Sequence, residues 1–125
     1  MSLRVLVVDD EFLIRWSIAE TLGAAGHEVT EAHDAVSALA ALETTPGPDV
    51  VLLDFRLPDS NDLGLLAKIR DLAPASVVVM MTAFGTAEVT AGALQLGACR
   101  VLTKPFNMND LDDIVRTHGP RPSGL

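Results

Sequence analysis

The 125-residue chain carries 9 Lys and Arg against 17 Asp and Glu, a net charge of -8, and 49% of its residues are hydrophobic. That hydrophobic content excludes disorder, no apolar run reaches the ~18 residues of a membrane span, and scattered basic residues exclude a phosphate-gripping nucleic-acid surface on this chain. One cysteine, Cys99, excludes an internal disulfide and, with no signal-peptide pattern at the start, predicts a reducing cytoplasmic setting.

Val5 to Val8 form a continuous aliphatic run, the pattern of a strand buried on both faces, and it leads directly into Asp9, Asp10 and Glu11. Ile14, Ile18, Leu22 and Ala25 then recur at helical spacing, with Trp16 off that face and partly exposed. Gly26 stands where a helix ends in left-handed backbone. A second strand is predicted near 27–32, and a second helix carries Ala35, Leu39 and Leu42 on one face. Thr44-Thr45-Pro46-Gly47-Pro48 stops that helix. DVVLLD, residues 49–54, is a third strand and also ends in a carboxylate. Leu65, Leu66, Ile69 and Leu72 mark a third helix that Pro74 ends, and SVVVMMT, 76–82, a fourth strand.

The fourth helix, GTAEVTAGALQL at 85–96, is predicted to be the least stable. Thr86, Val89, Thr90 and Gly92 have poor helix propensity, and Gly92 alone costs about 1 kcal/mol relative to alanine. CRVLT, 99–103, is the fifth strand, with Cys99 as a small buried hydrophobe, and Leu111, Ile114 and Val115 lie on a last helix. His27, His33 and His118 lack metal-ligand spacing and read as surface or capping residues. Alternating strands and helices predict an α/β fold with a mainly parallel sheet covered on both faces. It forms one domain over residues 1–118, and 119–125 reads as a linker or flexible tail.

Ligands of open parallel sheets bind beyond the carboxyl ends of the strands. Those ends carry Asp9, Asp10 and Glu11, then Asp54, then Thr82, then Lys104 and Pro105. Singly, each has an ordinary explanation: an acid caps a helix, a loop aspartate binds backbone N–H groups, a lysine is solvated. Their convergence on one rim points to chemistry. Carboxylates that repel one another demand a cation or a raised pKa. Mg²⁺ takes oxygen ligands and keeps waters that a phosphoryl oxygen replaces, while a lysine and a threonine hydroxyl complete a phosphate cradle. These residues predict an Mg²⁺-assisted phosphoryl site with Asp54 as nucleophile.

VLVVDDE, VVLLDFRLP, VVVMMTAFG and LGACRVLTKPFN stand in the order and at the spacing of a known family. Over roughly residues 3–118 the chain resembles the receiver domain of two-component response regulators. IRW at 14–16, MTAFGT at 81–86 and LTKPFNMNDL at 102–111 are most similar to the N-terminal receivers of NtrC-type, sigma-54-dependent activators. The resemblance implies a flavodoxin-like (βα)5 three-layer sandwich with strand order 2-1-3-4-5. It implies Asp54 as phospho-acceptor, with Mg²⁺ held by Asp10, Asp54 and the backbone carbonyl of Arg56, and Asp9 acting mainly through a metal-bound water. Thr82 and Lys104 would bind phosphoryl oxygens, and the Lys104-Pro105 bond would be cis. Glu11 falls outside that set and is expected as an early-helix residue favoured by the dipole.

The resemblance also implies partners: a sensor histidine kinase or phosphotransfer protein as donor and a transcriptional output domain in the parent chain. A homodimer through the fourth helix, fifth strand and fifth helix is a further implication. Self-phosphorylation and autodephosphorylation are expected, without turnover of an external substrate, direct nucleic-acid contact or membrane attachment.

Three departures from the family pattern stand out. Val101 occupies a position where many receivers carry an inward-turning Tyr or Phe; a valine cannot report Thr82 movement by swinging a ring, so switching is expected to rely on the fourth helix or on dimer rearrangement. Asn61-Asp62 replaces a common Asp-Gly pair, and Asn and Asp tolerate left-handed backbone best. Arg56 and Phe84 occupy the two positions that, by the resemblance, flank the phosphoryl group in the family, Phe84 being expected to limit water access and prolong the phosphoryl lifetime to minutes or longer.

Three rival functions would each leave a different mark on the sequence. An aspartyl-phosphate phosphatase of the haloacid dehalogenase type needs a second aspartate where Arg56 stands. A flavin- or nucleotide-binding module needs a glycine- or hydroxyl-rich first loop in place of DDEFL. A phosphorylation-independent scaffold is the remaining alternative, supported by Val101 alone.

Overall fold

The computed structural model of the chain describes residues 2–44, 46–60, 63–83 and 85–119. Asn61-Asp62, Phe84 and the tail at 120–125, each the subject of an expectation above, lie outside the described residues. Strands β1 (Arg4–Val8), β2 (Glu28–Ala32), β3 (Val50–Asp54), β4 (Val77–Thr82) and β5 (Arg100–Thr103) alternate with helices. These are α1 (Phe12–Ala24), α2 (Ala35–Leu42), α3 (Gly64–Leu72), α4 (Ala87–Gln95) and α5 (Leu111–His118). All neighbouring strands pair in parallel, in the order β2-β1-β3-β4-β5. This is the flavodoxin-like order expected.

Successive strand residues point to opposite faces, so the aliphatic runs of β1 and β3 supply both layers at once. Val5, Val7, Val50 and Leu52 pack with Ile18 and Leu22 of α1 and with Leu111, Ile114 and Val115 of α5. Leu6, Val8, Val51 and Leu53 pack the other way, against Ala38 of α2, Leu66 and Ile69 of α3 and Ala93 of α4. Full burial of one such aliphatic side chain contributes about 1.5–3 kcal/mol. Two helical layers therefore clamp the central strands, and the strand ends are held at one level.

Local chemistry sets the helix ends. Asp34 and Ser37 form a reciprocal capping box at α2, and Thr86 accepts from the Val89 N–H at α4. Gly26 and Gly97 carry φ of +97° and +107°, the left-handed backbone that glycine adopts without a Cβ penalty. Gly119 is buried and closes α5 with an N–H to the Val115 carbonyl.

Three expectations are corrected. Cys99 is exposed: β5 begins one residue later, after Cys99 has donated its N–H to the Val78 carbonyl. Leu72 is 61% exposed because it is the last residue of α3, where the helix leaves the sheet. His27 is buried rather than a surface residue, since two long-range partners meet its ring.

Candidate functional site

In-register parallel pairing brings the carboxyl ends of β1, β3, β4 and β5 to a common rim. Asp9 and Asp10 follow β1, Asp54 ends β3, Thr82 ends β4, and Lys104 follows β5. A Lys104 N–H bond of 2.7 Å to the Thr82 carbonyl joins the last two, and the next peptide, Lys104-Pro105, is cis. The rim encloses a hollow of about 240 Å³ bordered by Asp10, Glu11, Asp54, Arg56, Thr82, Ala83 and Lys104.

Asp9 is fully buried, and both of its carboxylate oxygens are engaged. Oδ1 accepts from the Glu11 N–H at 2.9 Å, and Oδ2 accepts from Lys104 Nζ at 2.7 Å. The same ammonium lies 3.4 Å from Asp54 Oδ1 and 4.0 Å from Glu11 Oε1. Carboxylate oxygens of Asp9, Asp10 and Asp54 all lie within 4.8 Å of one another, with Asp10 exposed and the other two buried. A set of hard oxygen donors with one open side suits a small divalent cation that retains water.

Burial, and next the Asp9 charge, raise the Asp54 carboxyl to about 6, against opposition from Lys104 and the Arg56 N–H. Burial pulls the Lys104 ammonium down, but its hydrogen bond to Asp9 and the Asp54 and Asp9 charges outweigh this and hold it above the ordinary lysine range. A cation and a proton therefore compete to relieve the same repulsion.

Thr82 is buried at the rim, and Arg56 is exposed with its N–H 3.5 Å from Asp54 Oδ1. Val101 is half-buried and packs into the α2, α3 and α4 layer rather than into the hollow. Phe84 lies outside the described residues. Glu11 sits at the N-terminal end of α1 without a side-chain cap bond and borders the hollow. Two contributors escaped sequence reasoning. Arg15 reaches back to the Asp9 carbonyl, and Asp59 in the β3–α3 loop accepts from the Ala35 and Val36 N–H groups of α2. A charge one turn after an acidic cluster was the available signal for Arg15; Asp59 had none.

The Response regulator receiver domain family matches residues 5–116. The chain belongs to that family. As a receiver it is 29% identical to Sporulation initiation phosphotransferase F of Bacillus subtilis (strain 168) over 98% of each chain. It is 39% identical to the DNA-binding transcriptional regulator NtrC of Salmonella typhimurium over 89% of its own length, but spans 23% of that protein. The crystal structure of a CheY-like response regulator receiver domain protein from Methanospirillum hungatei JF-1 superposes with a TM-score of 0.87 at 32% identity, over 94% of this chain and 93% of that one. The likeness to receivers of NtrC-type regulators, inferred above from short motifs, extends along nearly the whole domain.

Proposed function

We propose that Asp54 accepts a phosphoryl group from the phosphohistidine of a sensor histidine kinase or phosphotransfer protein, and that residues 1–118 pass the change to an output domain, with 119–125 as linker. The observation that carries this reading is the Lys104 ammonium between Asp9 and Asp54, beside three clustered carboxylates at one sheet rim. An Asp54 oxygen attacks phosphorus, the phosphorus–nitrogen bond breaks, and the imidazole departs with that bond's electron pair. Lys104 neutralises charge on the transferring group, and the Thr82 hydroxyl donates to a phosphoryl oxygen. Asp10, Asp54 and the Arg56 carbonyl, with Asp9 through water, would hold Mg²⁺, which supplies further charge neutralisation when bound.

The donor must reach the hollow, and α1, which starts one residue after its Glu11 edge, carries Phe12, Leu13 and Trp16 at 61%, 72% and 48% exposure, an apolar surface suited to a helical partner. Output through α4, β5 and α5, including homodimerisation there, follows from the weak propensity of α4 next to Thr82. Arg56 stands two residues after the nucleophile, where a phosphatase would need an acid, which supports an acceptor without external turnover. Among the described residues no helix is long and apolar enough to cross a membrane, and a cytoplasmic setting is part of the proposal.

Intact mass after incubation with acetyl phosphate, with and without Mg²⁺, tests the reading in wild type and Asp54→Asn. One Mg²⁺-dependent adduct of a single phosphoryl group, absent in the variant, is expected. No adduct in either protein, with no Mg²⁺ binding, would favour the phosphorylation-independent scaffold.

A further inference from the structure

The turn carrying Asp9 and Asp10 is gripped from behind by a side chain that the phosphoryl chemistry does not use. Arg15, one turn into α1, donates from Nη1 to the Asp9 carbonyl at 2.8 Å and from Nε to Glu31 Oε1 on β2 at 3.0 Å. Its side chain is only 15% exposed, and its guanidinium carbon lies 5.7 Å from the centre of the Phe12 ring. The other polar groups of Asp9 are already committed: its N–H to the Ala32 carbonyl and its carboxylate to the Glu11 N–H and Lys104. Arg15 takes the group that remains.

Like-charge repulsion between neighbouring carboxylates favours opening of such a turn. A donor on the carbonyl resists opening without consuming an oxygen that faces the hollow. The planar fork of an arginine serves two acceptors in fixed directions, which a lysine ammonium on a flexible stem does not reproduce. Glu31 pairs in register with Val7, so the far end of the clamp is anchored in the sheet itself. Partners in this outer layer commonly tune metal affinity about tenfold or more.

We propose that Arg15 is a positioning residue for the acid site: it locks the Asp9–Glu11 turn in metal-holding geometry and ties it through Glu31 to the edge strand. This rests on the reading of Asp9, Asp10 and Asp54 as a metal-holding set. Mg²⁺ calorimetry on wild type, Arg15→Ala, Arg15→Lys, Glu31→Ala and the Arg15→Ala/Glu31→Ala double variant tests it. Urea unfolding of each and metal-free amide exchange at Glu11 accompany the titrations.

Arg15→Ala is expected to weaken Mg²⁺ binding about tenfold, with partial recovery in Arg15→Lys and faster exchange at the Glu11 amide. Glu31→Ala should cost less, and its effect should vanish in the Arg15→Ala background, because Glu31 acts through Arg15. Wild-type Mg²⁺ affinity in Arg15→Ala, even with lowered stability, would overturn the proposal, and additive losses would overturn the role of Glu31. If wild type itself binds no Mg²⁺, the metal-site reading fails; an unchanged Glu11 exchange rate in Arg15→Ala would then overturn the clamp separately.

Discussion

Lys104 donates to Asp9 Oδ2 at 2.7 Å while standing 3.4 Å from Asp54 Oδ1, so one ammonium answers two buried carboxylates from two different strand ends. Lys104→Ala leaves both acids without it. Breaking a buried ion pair from one side costs about 3 kcal/mol or more. Urea unfolding of the metal-free variant should show a loss of that order at pH 7.5 and a smaller one at pH 5, where Asp54 takes up a proton. Equal losses at both pH values would count against the coupling.

The raised Asp54 carboxyl makes a second prediction, with a definite sign. An ordinary aspartate titrates near 3.8, whereas burial and Asp9 move Asp54 to about 6. Between those values the folded protein holds a proton that the unfolded chain has released. The stabilising contribution is complete below 3.8 and is lost as pH rises through about 6. Asp54→Asn removes this slope, so without metal the variant should gain on wild type in urea midpoint as pH rises from 5 to 7.5. A constant difference would refute the shift.

His27 ties three segments together. Its Nδ1 accepts from the Leu3 N–H at 3.1 Å, which leaves Nε2 as the donor to Asp112 Oδ1 at 2.7 Å. His27→Ala strands a buried N–H and should destabilise by about 1–3 kcal/mol. The hydrogen bond from His27, and then the hydrogen bond and charge of Arg116, hold Asp112 below the usual aspartate range. That contribution is present above pH 3.8 and lost as pH falls below it, so part of the acid limb of a stability profile should disappear in the variant.

Gly92 weakens α4 from its interior. Alanine there gains about 1 kcal/mol of helix propensity, while the added Cβ would lie 2.8 Å from Leu63 Cδ1, the movable end of a side chain. Gly92→Ala should therefore slow amide exchange over 87–95, with a net stabilisation under ~1 kcal/mol. If α4 is the moving element, the variant should also damp the change in its exchange on phosphorylation. Unaltered exchange would place the movement elsewhere.

The order of elements, the double-sided burial of β1 and β3 and the arrival of acids, hydroxyl and lysine at strand ends were all readable along the chain. Period and strand polarity are local properties, and a parallel sheet turns them into position: each strand end falls on the same rim whatever the loops do. Val5 to Val8 needed no alternation because helices cover both faces. What tertiary structure alone decided were contacts between segments that no period relates. His27 meets Asp112 across 85 residues, and Asp59 caps α2 from a loop 24 residues away from Ala35. Cys99 stays outside because β5 starts one residue after it, and Leu72 because α3 ends on it. Arg15 finds the Asp9 carbonyl only once α1 has folded back over β1 and brought Glu31 alongside. Periodicity says which face of an element is buried; the packing of neighbouring elements decides which polar group waits there.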